Sequence, residues 1–263
     1  MNKSVNRGRI IVSLTSFPEA IPYATQAIRS VLKGTLLPDK VVLYLDTQKF
    51  PEGKLPPELE VLKAECPIFE VRFDSAEIRS YKKLIPALRD FPNDVIVTID
   101  DDIWYHPSML NDLVKLHERL PHCIIAHRVR KIKLNAPYKA WRKYKWYDFI
   151  FKRHHFNYLA LQTGVGGVLY PPHSLDEKML DSTLFMKMAP TNDDIWFWAA
   201  AVSKGTHVVP VPGWHPKLIE IGKPGAVALK TVNIKSGIDR NREALEKTLA
   251  YYPAIKQKLE NGK

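Results

Sequence analysis

The strongest constraint on this chain is an alternation in its first hundred or so residues. Ile10-Ile11-Val12-Ser13-Leu14 is apolar on both faces and reads as a buried strand. Ile21 to Leu32 follows with Ala24, Ala27, Ile28, Val31 and Leu32 at helical spacing. Lys40 to Leu45 repeats the strand signal and stops at Asp46, Ile68 to Phe73 is a third, and Asp94 to Ile99 a fourth. A short helix is predicted over Tyr81 to Leu88. Near-continuous β-branched strands alternating with helices specify an α/β chain with a mostly parallel central sheet flanked by helices. Such sheets bind ligands beyond the carboxyl ends of their strands. Residues just after strands are therefore the candidates for function.

The second half has a different texture. Ser108 to Leu120 reads as a helix, Ala126 to Phe156 is basic and aromatic, and Leu161 to Tyr170 carries Gly164, Gly166 and Gly167. A further helix begins near Asp193, a strand follows over Thr206 to Val211, and Arg242 to Leu259 reads as a tail helix. With no repeat and no low-complexity linker, residues 1–263 are expected to form a single domain. Cys66 and Cys123 have no metal-type spacing and fit reduced thiols in a cytoplasmic protein. The polar N-terminus lacks the h-region of a signal peptide, and no run of about 20 apolar residues occurs.

Asp100-Asp101-Asp102 follows the fourth strand directly. Three adjacent carboxylates repel one another, and at a strand end Asp100 and Asp102 point to the same side. That arrangement suits a hard divalent cation, Mn²⁺ or Mg²⁺, gripping a diphosphate. Ser80 is placed to cap a helix whose first turn carries Lys82 and Lys83, and N–H groups and ammonium charges together make an anion site. Thr191 or Asn192 is placed to cap the helix that opens with Asp193 and Asp194, acids favoured there by the helix dipole.

Five segments occur in an order that carries a resemblance: Ile11-Val-Ser-Leu-Thr-Ser-Phe-Pro18, Ser80-Tyr-Lys-Lys-Leu-Ile-Pro-Ala-Leu88, Val97-Thr-Ile-Asp-Asp-Asp-Ile103, Gly164-Val-Gly-Gly-Val-Leu-Tyr-Pro-Pro172 and Thr191-Asn-Asp-Asp-Ile-Trp-Phe-Trp198. Together they resemble a bacterial glycosyltransferase of the GT-A (Rossmann-like) fold, similar to the family 2 glycosyltransferases of capsule and lipopolysaccharide biosynthesis. The resemblance implies a hexosyltransferase-type enzyme that uses a nucleotide-sugar donor and a divalent cation, acts on a glycan or lipid-linked glycan acceptor, and inverts configuration. Residues 1–105 would form the nucleotide-sugar half and 106–263 the acceptor half. Carried over, Asp102 is the direct metal ligand, and Asp100 contacts ribose or metal, with Asp101 beside them. Thr15 and Ser16 meet the nucleotide, Asp46 reads base or ribose, and Lys82 and Lys83 assist the diphosphate. Asp194 is the base, Asp193 binds acceptor hydroxyls, and His215 is a further metal ligand. Gly166, Gly167, Trp196 and Trp214 are expected to contact the acceptor.

Charge supplies the remaining clue. The chain has 39 Lys and Arg against 28 Asp and Glu, a net charge of +11. Nine of those units lie between Arg128 and Arg153, where Asp148 is the only acid, interleaved with Tyr138, Trp141, Tyr144 and Trp146. That mixture suits single-stranded nucleic acid, an anionic membrane surface or an acidic glycan. No nucleic-acid-binding motif accompanies it, which favours an anionic acceptor or the inner face of a membrane. The rival functions are a sugar-phosphate nucleotidyltransferase and a non-catalytic RNA-binding protein. The first usually carries a glycine-rich signature with Arg and Lys near its first strand, and Ser13 to Pro18 contains none.

Overall fold

A strand with no polar face must be covered on both sides. The computed structural model, which describes residues 8–145, 147–148, 157–212, 218–222 and 239–261, shows that cover. The first half runs β1 (Ile10–Thr15), α1 (Ile21–Leu32), β2 (Lys40–Asp46), α2 (Pro57–Glu65), β3 (Phe69–Asp74), a 3₁₀ turn (Arg79–Lys83), α3 (Ile85–Asp90) and β4 (Val95–Thr98). Then come β5 (Ile103–Trp104), α4 (Met109–Arg119), β6 (Ile124–Ala126), β7 (Val129–Lys131), β8 (Ala160–Gln162) and β9 (Val168–Tyr170). The chain continues through α5 (Ser182–Met188), α6 (Asp193–Lys204), β10 (Val208–Pro210), β11 (Ile219–Glu220), α7 (Arg240–Tyr251) and α8 (Pro253–Asn261).

Seven strands form the central sheet in the order β10-β6-β9-β4-β1-β2-β3. All neighbours are parallel except β9, which runs antiparallel to both β4 and β6. Strand alternation then divides the core in two. Ile10, Val12 and Leu14 pack with Ile28 of α1, Leu59 of α2 and Leu113 of α4. Ile11, Val42, Tyr44 and Ile96 pack with Phe197 of α6, Leu245 of α7 and Ile255 of α8. Helix α6 is apolar all round, every residue from Ile195 to Val202 being buried, as a helix inside a core must be. It ends where Gly205 adopts φ +92°, a left-handed turn that favours glycine.

Helix α1 has the predicted bounds, but two predicted helices are each divided by a proline. Tyr81 to Leu88 is a 3₁₀ turn followed by α3, which opens at Ile85-Pro86, because proline fits only a first helical turn. The tail is likewise two helices, the second starting at Pro253. Ser80 lies inside the 3₁₀ turn and caps nothing. Neither Thr191 nor Asn192 caps α6, since the Asn192 side chain instead reaches Asn241 at 2.8 Å. No helix among the described residues is long and apolar enough to cross a membrane.

Candidate active site

Adjacent parallel strands bring their carboxyl ends together, so β1, β2, β3 and β4 deliver Thr15, Asp46, Asp74 and Asp100 to one edge of the sheet. The 3₁₀ turn over Arg79–Lys83 crosses this edge, and Ser13 in β1 donates its hydroxyl to the Lys83 carbonyl at 2.6 Å, fixing the turn in place. Both lysines of the turn are thereby buried. Lys82 Nζ donates to Asp46 Oδ2 at 3.1 Å and to the Asp74 carbonyl at 2.8 Å. Burial works against the Asp46 charge, but the Gln48 N–H and Lys82 hold its carboxyl below the usual aspartate range.

Lys83 joins the two halves of the chain. Its Nζ donates to Asp100 Oδ1 at 3.0 Å and lies 3.0 Å from Asp193 Oδ2. The second contact is an ion pair outside hydrogen-bond alignment, so Asp193 Oδ2 is buried without a hydrogen-bond donor. Asp193 Oδ1 accepts from Ser80 Oγ at 2.8 Å. Burial opposes the Lys83 ammonium, yet Asp100, Asp193 and Asp194 together hold it well above the ordinary lysine value. These lysines face carboxylates, which corrects the expectation that they form an anion site with free helix N–H groups.

Asp194 occupies the first turn of α6, half-buried with dense protein around it. Burial, then the charges of Asp193 and Asp100, push its carboxyl up to about 7, against the pull of Lys83 and the Gly164 N–H. That N–H donates to Asp194 Oδ1 at 3.0 Å, while Gln162 Nε2 holds the Asp194 carbonyl at 3.3 Å. A Cβ at position 164 would stand 2.6 Å from Lys83 Nζ and 3.2 Å from Asp100 Oδ1, so only glycine fits unchanged. Asp100, Asp193, Asp194, Lys83 and Gly164 thus form one continuous cluster. A carboxyl that titrates near neutrality is suited to accepting a proton.

The remaining predicted residues divide. Thr15 Oγ1 donates to the Tyr44 carbonyl at 2.8 Å, and Ser16 Oγ donates to Asp101 Oδ2 at 2.7 Å, so Asp101 ties the first loop to the acidic motif. Asp102 is half-buried, and its carbonyl accepts from the Ile221 N–H at 2.7 Å beside the β5–β11 pair. Trp196 is fully buried and donates to the Met179 carbonyl at 2.6 Å, so it packs the core and touches no acceptor. Gly166 lies against Arg128, and Gly167 adopts φ +88° with Met109 beside it. The residue of this turn that enters the cluster is Gly164, and its N–H is a contact that no side-chain pattern announces. Trp214 and His215 lie outside the described residues, as do Trp146 and residues 149–156 of the basic segment.

Within that segment Asp148 is fully buried and gathers much of the charge. It accepts from Lys131 Nζ at 2.9 Å, from Arg142 Nη1 at 2.8 Å and from the Lys145 N–H at 2.9 Å. Burial opposes ionisation, but Arg142 and Lys131 keep its carboxyl well below the usual range. Trp141, one of the aromatics interleaved with these basic residues, is fully buried with its indole N–H shared between the Lys133 and Ala136 carbonyls.

A mostly parallel sheet with an acidic motif at one strand end and a second acidic pair at a helix head has the GT-A architecture of glycosyltransferases. A solved mannosyltransferase of that architecture, PcManGT from Pyrobaculum calidifontis in complex with GDP-Man and Mn²⁺, is similar over 96% of this chain and 76% of its own, with a TM-score of 0.53 and 14% identity. At that identity the likeness is one of fold. Residues 13–170, more than half of the chain, match Glycosyl transferase family 2, and the chain belongs to that family. No curated protein matches it in sequence. Family membership makes the protein a glycosyltransferase and sets aside the nucleotidyltransferase and RNA-binding alternatives.

Proposed function

We propose that the protein is a metal-dependent, inverting hexosyltransferase that moves a sugar from a nucleotide-sugar donor to a hydroxyl of a glycan or lipid-linked glycan. One observation carries this reading: Lys83 binds Asp100 of the first half and Asp193 of the second, which sets Asp194 beside the acidic motif. Residues 1–105 then hold the donor and 106–263 the acceptor, within a single domain.

Among the described residues no three His, Cys, Asp or Glu side chains converge on a metal position. A hard cation completed by substrate phosphates takes only one or two carboxylates from the protein, and Asp102 with Asp100 supplies that set. When bound, Mn²⁺ or Mg²⁺ would offset charge on the departing diphosphate. The chain's own residues do the rest. Thr15, Ser16 and Asp46 line the nucleotide end, with Asp46 oriented by Lys82. Asp193, fixed by Ser80 and Lys83, orients the acceptor. Asp194 takes the proton of the attacking hydroxyl, whose oxygen bonds to the anomeric carbon from the face opposite the leaving group. The anomeric C–O bond breaks with its electron pair going to the nucleoside diphosphate. Base catalysis of this kind contributes roughly 10²–10⁴-fold.

A cytoplasmic position on the inner face of a bacterial membrane, in surface-glycan assembly, fits the remaining basic surface. The test is calorimetric titration of the full chain with a panel of nucleoside diphosphate sugars, GDP-mannose first, with Mn²⁺ or Mg²⁺ and again with EDTA. A donor is expected to bind only with the cation, and D102A to abolish that binding. Failure of every donor to bind overturns the proposal.

A further inference from the structure

Arg128 follows β6 at the carboxyl edge of the sheet, on the Asp194 side of the cluster. Its carbonyl accepts from the Thr163 N–H at 2.9 Å and from Thr163 Oγ1 at 3.1 Å, which joins it to the turn that holds Gly164. Gly166 presses against it, since a Cβ there would come within 3.1 Å of both Arg128 Cβ and Arg128 N. Arg130, two residues on in β7, lays its guanidinium 4.5 Å above the Tyr138 ring and donates Nη1 to the Trp141 carbonyl at 2.6 Å. The Arg130 guanidinium is thus held by a backbone carbonyl and an aromatic face, and the Arg128 backbone is tied to the turn that carries Gly164.

What they lack is an acid. Among the described residues neither arginine has an ion-pair partner, and the Nε of each is buried with no acceptor. The contrast with their neighbours is sharp, because Asp148 satisfies Lys131 and Arg142 a few residues away. Burial, followed by Arg130, pushes the Arg128 guanidinium down from its ordinary value, while Tyr138, Asp194 and Asp100 act in the other direction. Two half-buried cations beside each other, each with a buried Nε that has no acceptor, are unfavourable unless an anion joins them. A guanidinium fork matches the paired oxygens of a phosphate or a carboxylate, and it does so better than an ammonium.

We infer that Arg128 and Arg130, with Tyr138 as the floor, form an anion subsite that binds a phosphate or carboxylate carried by the acceptor. The inference rests on the transferase reading above and names the acceptor's chemical class. The subsite lies with Asp194, where the attacking hydroxyl must be, and apart from Asp46 and Lys82 at the nucleotide end. An acidic group seated there would hold the acceptor hydroxyl at the base, so binding energy distant from the reacting atoms is used for orientation.

The test uses the full chain saturated with whichever nucleoside diphosphate it binds, in Mg²⁺ and low salt, and titrates inorganic phosphate by calorimetry. Phosphate is expected to bind under these conditions, where the nucleotide site is already filled. R128M should weaken phosphate at least about tenfold and leave the nucleoside diphosphate affinity within about twofold. R128K should recover part of the loss, and D46N should weaken the nucleotide alone. Arg130 also holds the Trp141 carbonyl, so R128M, checked for folding by circular dichroism, carries the decision. Absence of phosphate binding in the nucleotide-saturated protein overturns the inference, as does phosphate affinity unchanged in R128M. A parallel loss of nucleotide affinity in R128M also overturns it, and assigns the arginines to the donor diphosphate. Should no nucleoside diphosphate bind at all, the transferase proposal fails with it.

Discussion

Replacing Asp194 with asparagine is expected to make the protein more stable while removing its activity, because the site holds this carboxylate where it ionises with difficulty. An aspartate that titrates at about 3.9 when unfolded reaches about 7 in the fold. A difference of roughly 3 corresponds to about 4 kcal/mol. Solvent reaching the exposed part of the side chain lowers this to about 2–4 kcal/mol. The sign follows from proton release. Below about pH 4 the carboxyl is protonated in both states, so D194N and wild type are equally stable. Between about 4 and 7 only the unfolded chain releases the proton, and wild-type stability falls as pH rises. Above 7 the full difference is present. Asparagine keeps an oxygen for the Gly164 N–H and carries no charge. Urea unfolding in EDTA, compared at pH 4 and pH 8, reads the difference directly, and at pH 8 the melting temperature should rise by at least about 4 °C. Transfer should fall by roughly 10²–10⁴. If D194N is no more stable than wild type at pH 8, burial and Asp193 do not strain this carboxylate, and the argument for a neutral-range base collapses.

Two further substitutions probe the framework around it. G164A puts a methyl within 2.6 Å of Lys83 Nζ and 3.2 Å of Asp100 Oδ1. It is expected to lower stability by about 1–3 kcal/mol and turnover more than tenfold, read by urea unfolding and donor consumption. D148N leaves Lys131 and Arg142 without their buried acid, a loss of about 3 kcal/mol at neutral pH. Because this carboxyl is held low in the fold, the deficit relative to wild type should be full above about pH 4 and vanish as the pH falls further.

Strands β1, β2 and β4 were legible because a run buried on both faces leaves little freedom of interpretation. Helix α1 was legible because its apolar stripe is wide. The boundary errors at Ile85 and Pro253 share one cause: proline can open a helix as well as break one, and periodicity counts straight across it. In the site, the carboxylates could be found because each follows a strand or opens a helix. Lys83 could not be assigned a partner, since the acids that bind it lie elsewhere in the chain and sequence neighbours reveal nothing of them. Trp196 was misplaced for a related reason. An aromatic beside an acidic pair resembles a sugar platform, whereas a helix apolar on every side leaves no surface for one. The three glycines of the Gly164–Gly167 turn meet different demands that their spacing does not distinguish: one accommodates Lys83, one Arg128 and one a left-handed backbone.

The Ser80–Asp193 bond spans 113 residues. During synthesis at about 5–20 residues per second, that separation corresponds to roughly 6–23 seconds. Throughout that interval the first half can lay down its strands while Lys83 has only Asp100 to neutralise it. The carboxylates that complete its environment leave the ribosome late, on the helix that also fills one core. A chain truncated before Asp193 would therefore carry the nucleotide edge and no base, and formation of the cluster reports that the nascent protein has closed on itself.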